Sequence, residues 1–394
     1  MTAEQRCFLN VISDYINDVP SVLPDEQIDL AELAKIARYH SLAGIIYAQC
    51  KDFLPKENEA VKLLENAFTS SVFYYVCNNE ALAELRAAYA AAGINLLAFK
   101  GLNIAKYHPV PELRTMGDID VLIHASDREK SHKLMLGLGY KCDKPVGDVW
   151  KYKRDVVEIE VHEHIAYERL GTDFNYINYF DCAWDYNVDG SLSPNLQFLH
   201  TVEHTAKHML VSGSGFRPFL DMAFMAKLGA LDWDFICVEL DKIELLEFAK
   251  VCFALCNKWF GVEFPIEHED ISDELFDEIT EKTFSDGVFG NGNKENFGAH
   301  IASEFSRKED ISWVAAIVIW LRMLFPNVNT MPQFKVYSFL FDHKLLRPIA
   351  WIYRIVYCGV NRFSNSVKLF FYPLTKRKKV KNRLRYLRNL KLIK

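Results

Sequence analysis

Long hydrophobic runs are missing from this chain of 394 residues. Near the end, Ile311 to Leu321 is apolar, but Arg322 stops it. A membrane-spanning helix needs about 20 such residues, so this stretch reads as a buried helix. The first residues, MTAEQRCFLN, have neither a basic start nor a signal-like apolar core, so a cytoplasmic protein without export is expected. Paired cysteines are missing too. The nine cysteines form no CxxC and no regular framework, which excludes a disulfide scaffold and fits reduced thiols. Cys252 and Cys256 stand one helical turn apart, but no second pair is near enough in sequence to complete a zinc set. Acidic residues are absent from Lys376 to Lys394, where ten Lys or Arg occur. The net charge of −6 therefore hides a body of 36 basic and 52 acidic residues joined to a strongly basic tail. No internal repeat is visible.

What is present fits a folded chain. Half the residues are apolar and a quarter charged, as in ordinary globular proteins. The first ninety residues read as helices, ending with the Ala- and Leu-rich ALAELRAAYAAA before Gly93. The pattern then changes. Ile94–Phe99 is long enough for one buried strand, Leu102–Tyr107 for a brief helix, and Asp118–Ile123 for a second strand. Ser126 and Glu129 have the spacing of a capping box, and a helix is expected from there to Leu138, stopped by Gly139. Val149–Arg154 and Val156–Ile165 alternate and meet at Arg154-Asp155, which predicts a hairpin. Helical patterns return over Asn195–Leu210 and Leu220–Leu231, and again from Ile311. Residues 261–310, acidic and then rich in Gly and Asn, read as an irregular connection.

The fold class expected is α+β, a small mixed-sheet core enclosed by helical regions. The divisions are an N-terminal helical region over 1–92, an α/β core over 93–190, a C-terminal helical region over 191–375 and the basic tail over 376–394.

Asp118 and Asp120 are two apart on a predicted strand, so both carboxylates point to one face. Two such charges repel unless a cation lies between them, and hard ions such as Mg²⁺ take these oxygen ligands together with substrate phosphates. Gly117 allows the backbone to approach a ligand closely. A third acid should come from a neighbouring strand. Along Val156–Ile165, Val157, Ile159 and Val161 alternate with Glu158, Glu160 and His162, which leaves two acids and a histidine opposite the core. Glu160 is the choice for the third acid, with Glu158 in reserve. Lys100-Gly101 ends one strand and opens a helix, where backbone N–H groups and the lysine can meet a phosphate.

Taken together, LLAFKGLNIAKYH, ELRTMGDIDVLI, a helix ending LGLGY and then VVEIEVHEH resemble a poorly characterised bacterial nucleotidyltransferase family of the DNA polymerase β superfamily. HTVEHTAKHMLVSGSGFRPFLDMAFMAK is similar to that family's helical half, and LFPNVNTMPQFKVYSF with RPIAWIYR to its C-terminal part, so the resemblance spans roughly residues 30–360. It implies metal-dependent transfer of a nucleotidyl group from a nucleoside triphosphate, with release of pyrophosphate. Asp118, Asp120 and Glu160 would hold Mg²⁺ or Mn²⁺, and Lys100, Gly101, Arg114 and His162 would serve the nucleotide. Arg114, four residues before Asp118, has a fork suited to phosphate oxygens or, alternatively, to a surface pairing with Glu112. The superfamily usually has Gly-Gly or Gly-Ser after its first strand, whereas Leu102 follows Gly101 here, so no serine hydroxyl is available at that point.

Three further features stay open at this level. His200, His204 and His208 share one helical face and could line a substrate, hold zinc or be buried. Arg217 and Asp221 could pair or close over the nucleotide, and His162 could accept a proton from an acceptor hydroxyl. The tail could lie on anionic membrane, contact nucleic acid or pack on the body. The alternative to an enzyme is an idle nucleotide-binding protein or an adaptor acting through that tail.

Overall fold

In the computed structural model, four helices precede any strand: α1 (Ala3–Asn17), α2 (Leu30–Tyr39), α3 (Ala43–Cys50) and α4 (Glu59–Ala91). The structure describes residues 1–290 apart from 23–27, 143–144, 146, 167–173, 228–230, 269 and 289, then 321, 325, 340, 343–361 and 377–393. Local signals start these helices: Thr2 and Gln5 form a capping box on α1, and the side chains of Asp29 and Asn58 cap α2 and α4. Gly93, at φ +63°, turns the chain out of α4.

The sheet follows, with β1 (Leu97–Phe99), β2 (Ile119–Leu122), β3 (Val149–Arg154), β4 (Val157–His162), β5 (Asn187–Val188) and β6 (Ser191–Leu192). Its strand order is β3-β4-β2-β1-β6-β5. β1 runs antiparallel to β2, and β2 parallel to β4. The expected hairpin is β3-β4, turned at Asp155 with φ +53°. The short pair β5-β6 was not expected from sequence. Between strands lie α5 (Gly101–Ala105) and α6 (Arg128–Gly137).

Alternation along the strands separates two cores. Ile119, Val121, Ile159 and Val161 point to one face and pack with Leu85 and Tyr89 of α4 and Met135 of α6. Leu97, Phe99 and Leu122 belong to the core on the other side, shared with the helical half. That half holds α7 (Tyr176–Phe180), α8 (Pro194–Val211), α9 (Arg217–Lys227), α10 (Trp233–Lys242), α11 (Leu246–Phe260) and α12 (Asp273–Asp286). Phe8 and Ile12 of α1 lie in the same apolar cluster as Phe216, Phe248 and Phe260. The N-terminal helices and the helical half are thus held by a continuous core.

The α+β architecture is as expected, but some local readings change. Ser126 lies in a 3-10 turn and α6 has no side-chain cap bond, so the capping box is not formed. The acidic stretch within 261–310 contains a helix, α12, because Ser272 caps it and Ile279, Thr283 and Phe284 face the core. The predicted helix over Ile311–Leu321 and the Gly- and Asn-rich segment after residue 290 lie outside the described residues. Two later helices follow among the described residues, α13 (Arg347–Asn361) and α14 (Arg377–Asn389). No helix among the described residues is long and apolar enough to cross a membrane. The tail packs on the body. Leu384, Leu387 and Leu390 of the α14 region are buried, and Arg383 donates to the carbonyls of Met209 and Leu210 at the end of α8.

Candidate active site

Asp120 is the second residue of β2, and parallel pairing sets it directly beside Glu160 of β4. Alternation puts Asp120, Glu160 and His162 on the face opposite Ile119, Val121, Ile159 and Val161. Ligand atoms of these three residues all lie within 4.8 Å of one another. Asp118, just before β2, is not part of that group, yet its electrostatics join it. Burial and the charges of Asp120 and Glu160 push its pKa up to about 6. This is the signature of crowded carboxylates.

A lysine and a histidine meet the crowd on one flank. Lys100 Nζ lies 3.1 Å from Asp120 Oδ1, and His162 Nε2 donates to the same oxygen at 2.9 Å. His162 Nε2 is also 3.5 Å from Glu160 Oε2. Burial alone would raise the pKa of Asp120, but Lys100 and His162 outweigh it and hold this carboxyl well below the usual range. Burial likewise opposes ionisation of Glu160, which His162 and Lys151 nevertheless bring down to about 2. Lys151 faces Glu160 across the hairpin and pairs with it. Glu158, the reserve acid, lies on the same face nearer the hairpin turn, where it is exposed and pairs with Lys153.

Lys100 itself sits in backbone that only glycine adopts easily, with φ +52° and ψ −141°. Gln197 of α8 anchors that turn. Its Oε1 accepts from Lys100 N and from Asn103 Nδ2, both at 2.9 Å. Gly101 is required beside it, because a Cβ there would meet the Asp118 carbonyl at 3.2 Å.

Arg114 is buried in the wall of the site, and its fork is occupied. Nε and Nη2 each donate to a carboxylate oxygen of Asp221 at 2.8 Å, and Nη1 donates to the Gly101 carbonyl at 3.0 Å. Neither the surface pairing with Glu112 nor the pairing of Arg217 with Asp221 forms. Asp221 serves Arg114 and His108, whose Nε2 is 2.9 Å away. Arg217 instead donates to the Thr115 carbonyl at 3.2 Å; burial and the charge of Arg114 push its pKa down, while Asp221 and then Asp118 favour its charge.

The histidine face of α8 turns inward. His200 Nε2 donates to the Ile165 carbonyl at 2.8 Å, and the Nε2 atoms of His204 and His208 share a proton at 3.0 Å. Burial first, then Lys100 and Lys207, push the pKa of His200 down to about 3 and that of His204 well down. His200, Glu203 and His204 have ligand atoms within 4.8 Å of one another. The charges of Lys100 and Lys207 disfavour a cation at this group.

Sequence reasoning missed Gln197, Asn103, His108 and Lys151, none of which carries a motif of its own. Comparison with known proteins gives a single result. Residues 26–261 match the model of a family described as uncharacterised nucleotidyltransferase. No curated protein and no solved structure matches the chain. The match runs from the region before α2 to the end of α11, short of the residue 360 reached by the resemblance read from sequence. Spanning more than half of the residues, and containing the whole carboxylate cluster, it shows that the chain belongs to this nucleotidyltransferase family.

Proposed function

We propose that the chain transfers a nucleoside monophosphate from a nucleoside triphosphate to a hydroxyl acceptor. The acceptor oxygen bonds to the α-phosphorus, the bond from that phosphorus to the bridging oxygen of the β-phosphate breaks, and pyrophosphate leaves. The hydroxyl proton passes to solvent. The carrying observation is the grouping of Asp120, Glu160 and His162 on one sheet face beside Lys100-Gly101, with Asp118 just before β2 within electrostatic reach.

The donor set fits a hard divalent ion, since it offers carboxylate oxygens, and burial followed by the charges of Asp120 and Glu160 raises the pKa of Asp118. Mg²⁺ or Mn²⁺ held by Asp118, Asp120 and Glu160 would stabilise negative charge on the phosphate oxygens. The protein's own groups do the rest. Lys100 exchanges part of its contact with Asp120 for the phosphates. His162 positions Asp120 through Nε2, and the first turn of α5 approaches the triphosphate through Gly101. Arg217, rather than Arg114, supplies the phosphate-facing guanidinium, because Asp221 takes both outer edges of Arg114.

The test is pyrophosphate release with each of the four NTPs, Mg²⁺ or Mn²⁺ and a pool of hydroxyl acceptors. Release should be lost in Asp120→Asn. Turnover equal to that of the unaltered protein would refute the assigned role.

One observation favours a second reading. Lys100 and His162 already occupy Oδ1 of Asp120, as in a site that binds nucleotide without turning it over. Saturable Mg²⁺-ATP binding with no pyrophosphate from any acceptor would establish that idle form. The tail offers less to an adaptor reading, since α14 uses its apolar face on the body.

A further inference from the structure

The strongest surface feature lies far along the chain from the carboxylates. On α13 and the turn before it, Leu345, Ile349, Ile352, Val356 and Val360 are exposed by 94%, 60%, 63%, 58% and 75%. The last four are spaced three, four and four apart, so they form one ridge along the helix. Isolated exposed aliphatics are ordinary, but a full helical stripe of them marks a surface that something covers. Beside the ridge stand Arg347, whose guanidinium lies 4.8 Å from the Trp351 ring, and Arg354.

Charge identifies what covers it. From His343 to Lys394 there are fifteen Lys or Arg and no Asp or Glu, whereas the preceding 342 residues hold 31 basic and 52 acidic ones. An acid-free, cationic segment carrying an exposed aliphatic ridge is complementary to a surface that is anionic outside and hydrocarbon beneath. We infer that α13 lies in the plane of an anionic lipid bilayer, with its Ile and Val ridge below the headgroups and its arginines among them. Fifteen residues reach about 22 Å, too short to cross a hydrocarbon core of about 30 Å, so the helix rests on the membrane. α14 adds charge alone. Its leucines are buried against the body, while Lys378, Lys381 and Arg385 stay exposed.

Two other occupants fit less well. A second copy meeting the same ridge face to face would bring two acid-free segments together. A nucleic acid would match the charge and could stack on the exposed Tyr353 and Tyr357, but it leaves the longer aliphatic ridge without a use. The inference does not depend on the chemistry proposed for the carboxylates.

The test is sedimentation of the full chain with vesicles of phosphatidylcholine alone or mixed with phosphatidylglycerol. The protein should bind the mixed vesicles, release them at high salt, and ignore the neutral ones. Ile352→Glu with Val356→Glu should weaken binding about tenfold or more without altering the circular dichroism or the melting midpoint, since both positions are exposed. Failure to bind anionic vesicles overturns the inference, as does binding unchanged by the double substitution. A dimer seen by light scattering and abolished by that substitution, with no vesicle binding, would assign the ridge to a second copy.

Discussion

Arg114 and Asp221 form a two-pronged pair, with Nε and Nη2 each 2.8 Å from a carboxylate oxygen, and neither side chain reaches open solvent. This pair joins the loop before Asp118 to α9, and through Arg114 Nη1 it also fixes the Gly101 carbonyl. Asp221→Ala leaves Arg114 buried without a countercharge, which costs about 3–5 kcal/mol for a pair of this kind. A urea titration would measure it, and a loss under about 1 kcal/mol would contradict a structural role.

Arg217 should behave in the opposite way. Its hydrogen bond is to a backbone carbonyl, so Arg217→Ala should cost less than about 1 kcal/mol in the same titration. The KM for the triphosphate should rise about tenfold or more. An unchanged KM would return the phosphate contact to other residues.

The two glutamates of β4 share a face but differ in position along the strand, Glu160 beside Asp120 and Glu158 at the hairpin end. Glu160→Gln should lower pyrophosphate release by about a hundredfold, whereas Glu158→Gln, exposed and paired with Lys153, should leave it within about twofold. Equal effects would break the assignment of the third acid.

Lys100 pays in backbone strain for its place beside Asp120. Lys100→Gly and Lys100→Ala both remove the ammonium, and only glycine relaxes φ +52° with ψ −141°. The glycine variant should be the more stable by about 1–2 kcal/mol, and neither should turn over substrate. Equal melting midpoints would show that Gln197 holds the turn without strain.

His40 is buried among Phe8, Phe216 and Phe284. Burial pushes its pKa down to about 4, against about 6.5 when unfolded. Between those values the unfolded chain binds the extra proton, so stability falls as pH drops from about 6.5 to about 4. His40 contributes on the order of 3 kcal/mol to that fall. His200 and His208 act in the same direction, so His40→Leu should flatten the slope without abolishing it. Denaturant titrations across that range would check it, and a slope identical in the variant would exclude His40.

The tail supports stability by packing. Leu387 is fully buried, so Leu387→Ala should cost about 2–5 kcal/mol by melting, and removal of 376–394 should cost more. A truncated chain as stable as the whole would mean that α14 contributes nothing to the core.

The order of strands and helices around the site was legible in sequence because it rests on local rules. Alternation over Val157–His162 sorted Glu160 and His162 from the core residues, and a Lys-Gly step after an apolar run marked the strand end. Periodicity over Asn195–Leu210 likewise gave α8 and the shared face of its histidines, but not which way that face turns. Composition misled where one sign of charge dominated, since α12 is acidic yet amphipathic.

Partnership was decided by tertiary structure. An arginine four residues before an Asp-x-Asp looks available for phosphate, and only the packing of α9 against that loop supplies Asp221 to occupy it. The same holds for Lys100 and Asp120, twenty residues apart in the chain and joined by antiparallel pairing of β1 with β2. Sequence by itself determined which side chains share a face, because the periods of strands and helices are properties of the backbone. It could not determine which face meets which, because ion pairs and buried hydrogen bonds depend on distances that exist only once distant segments have packed.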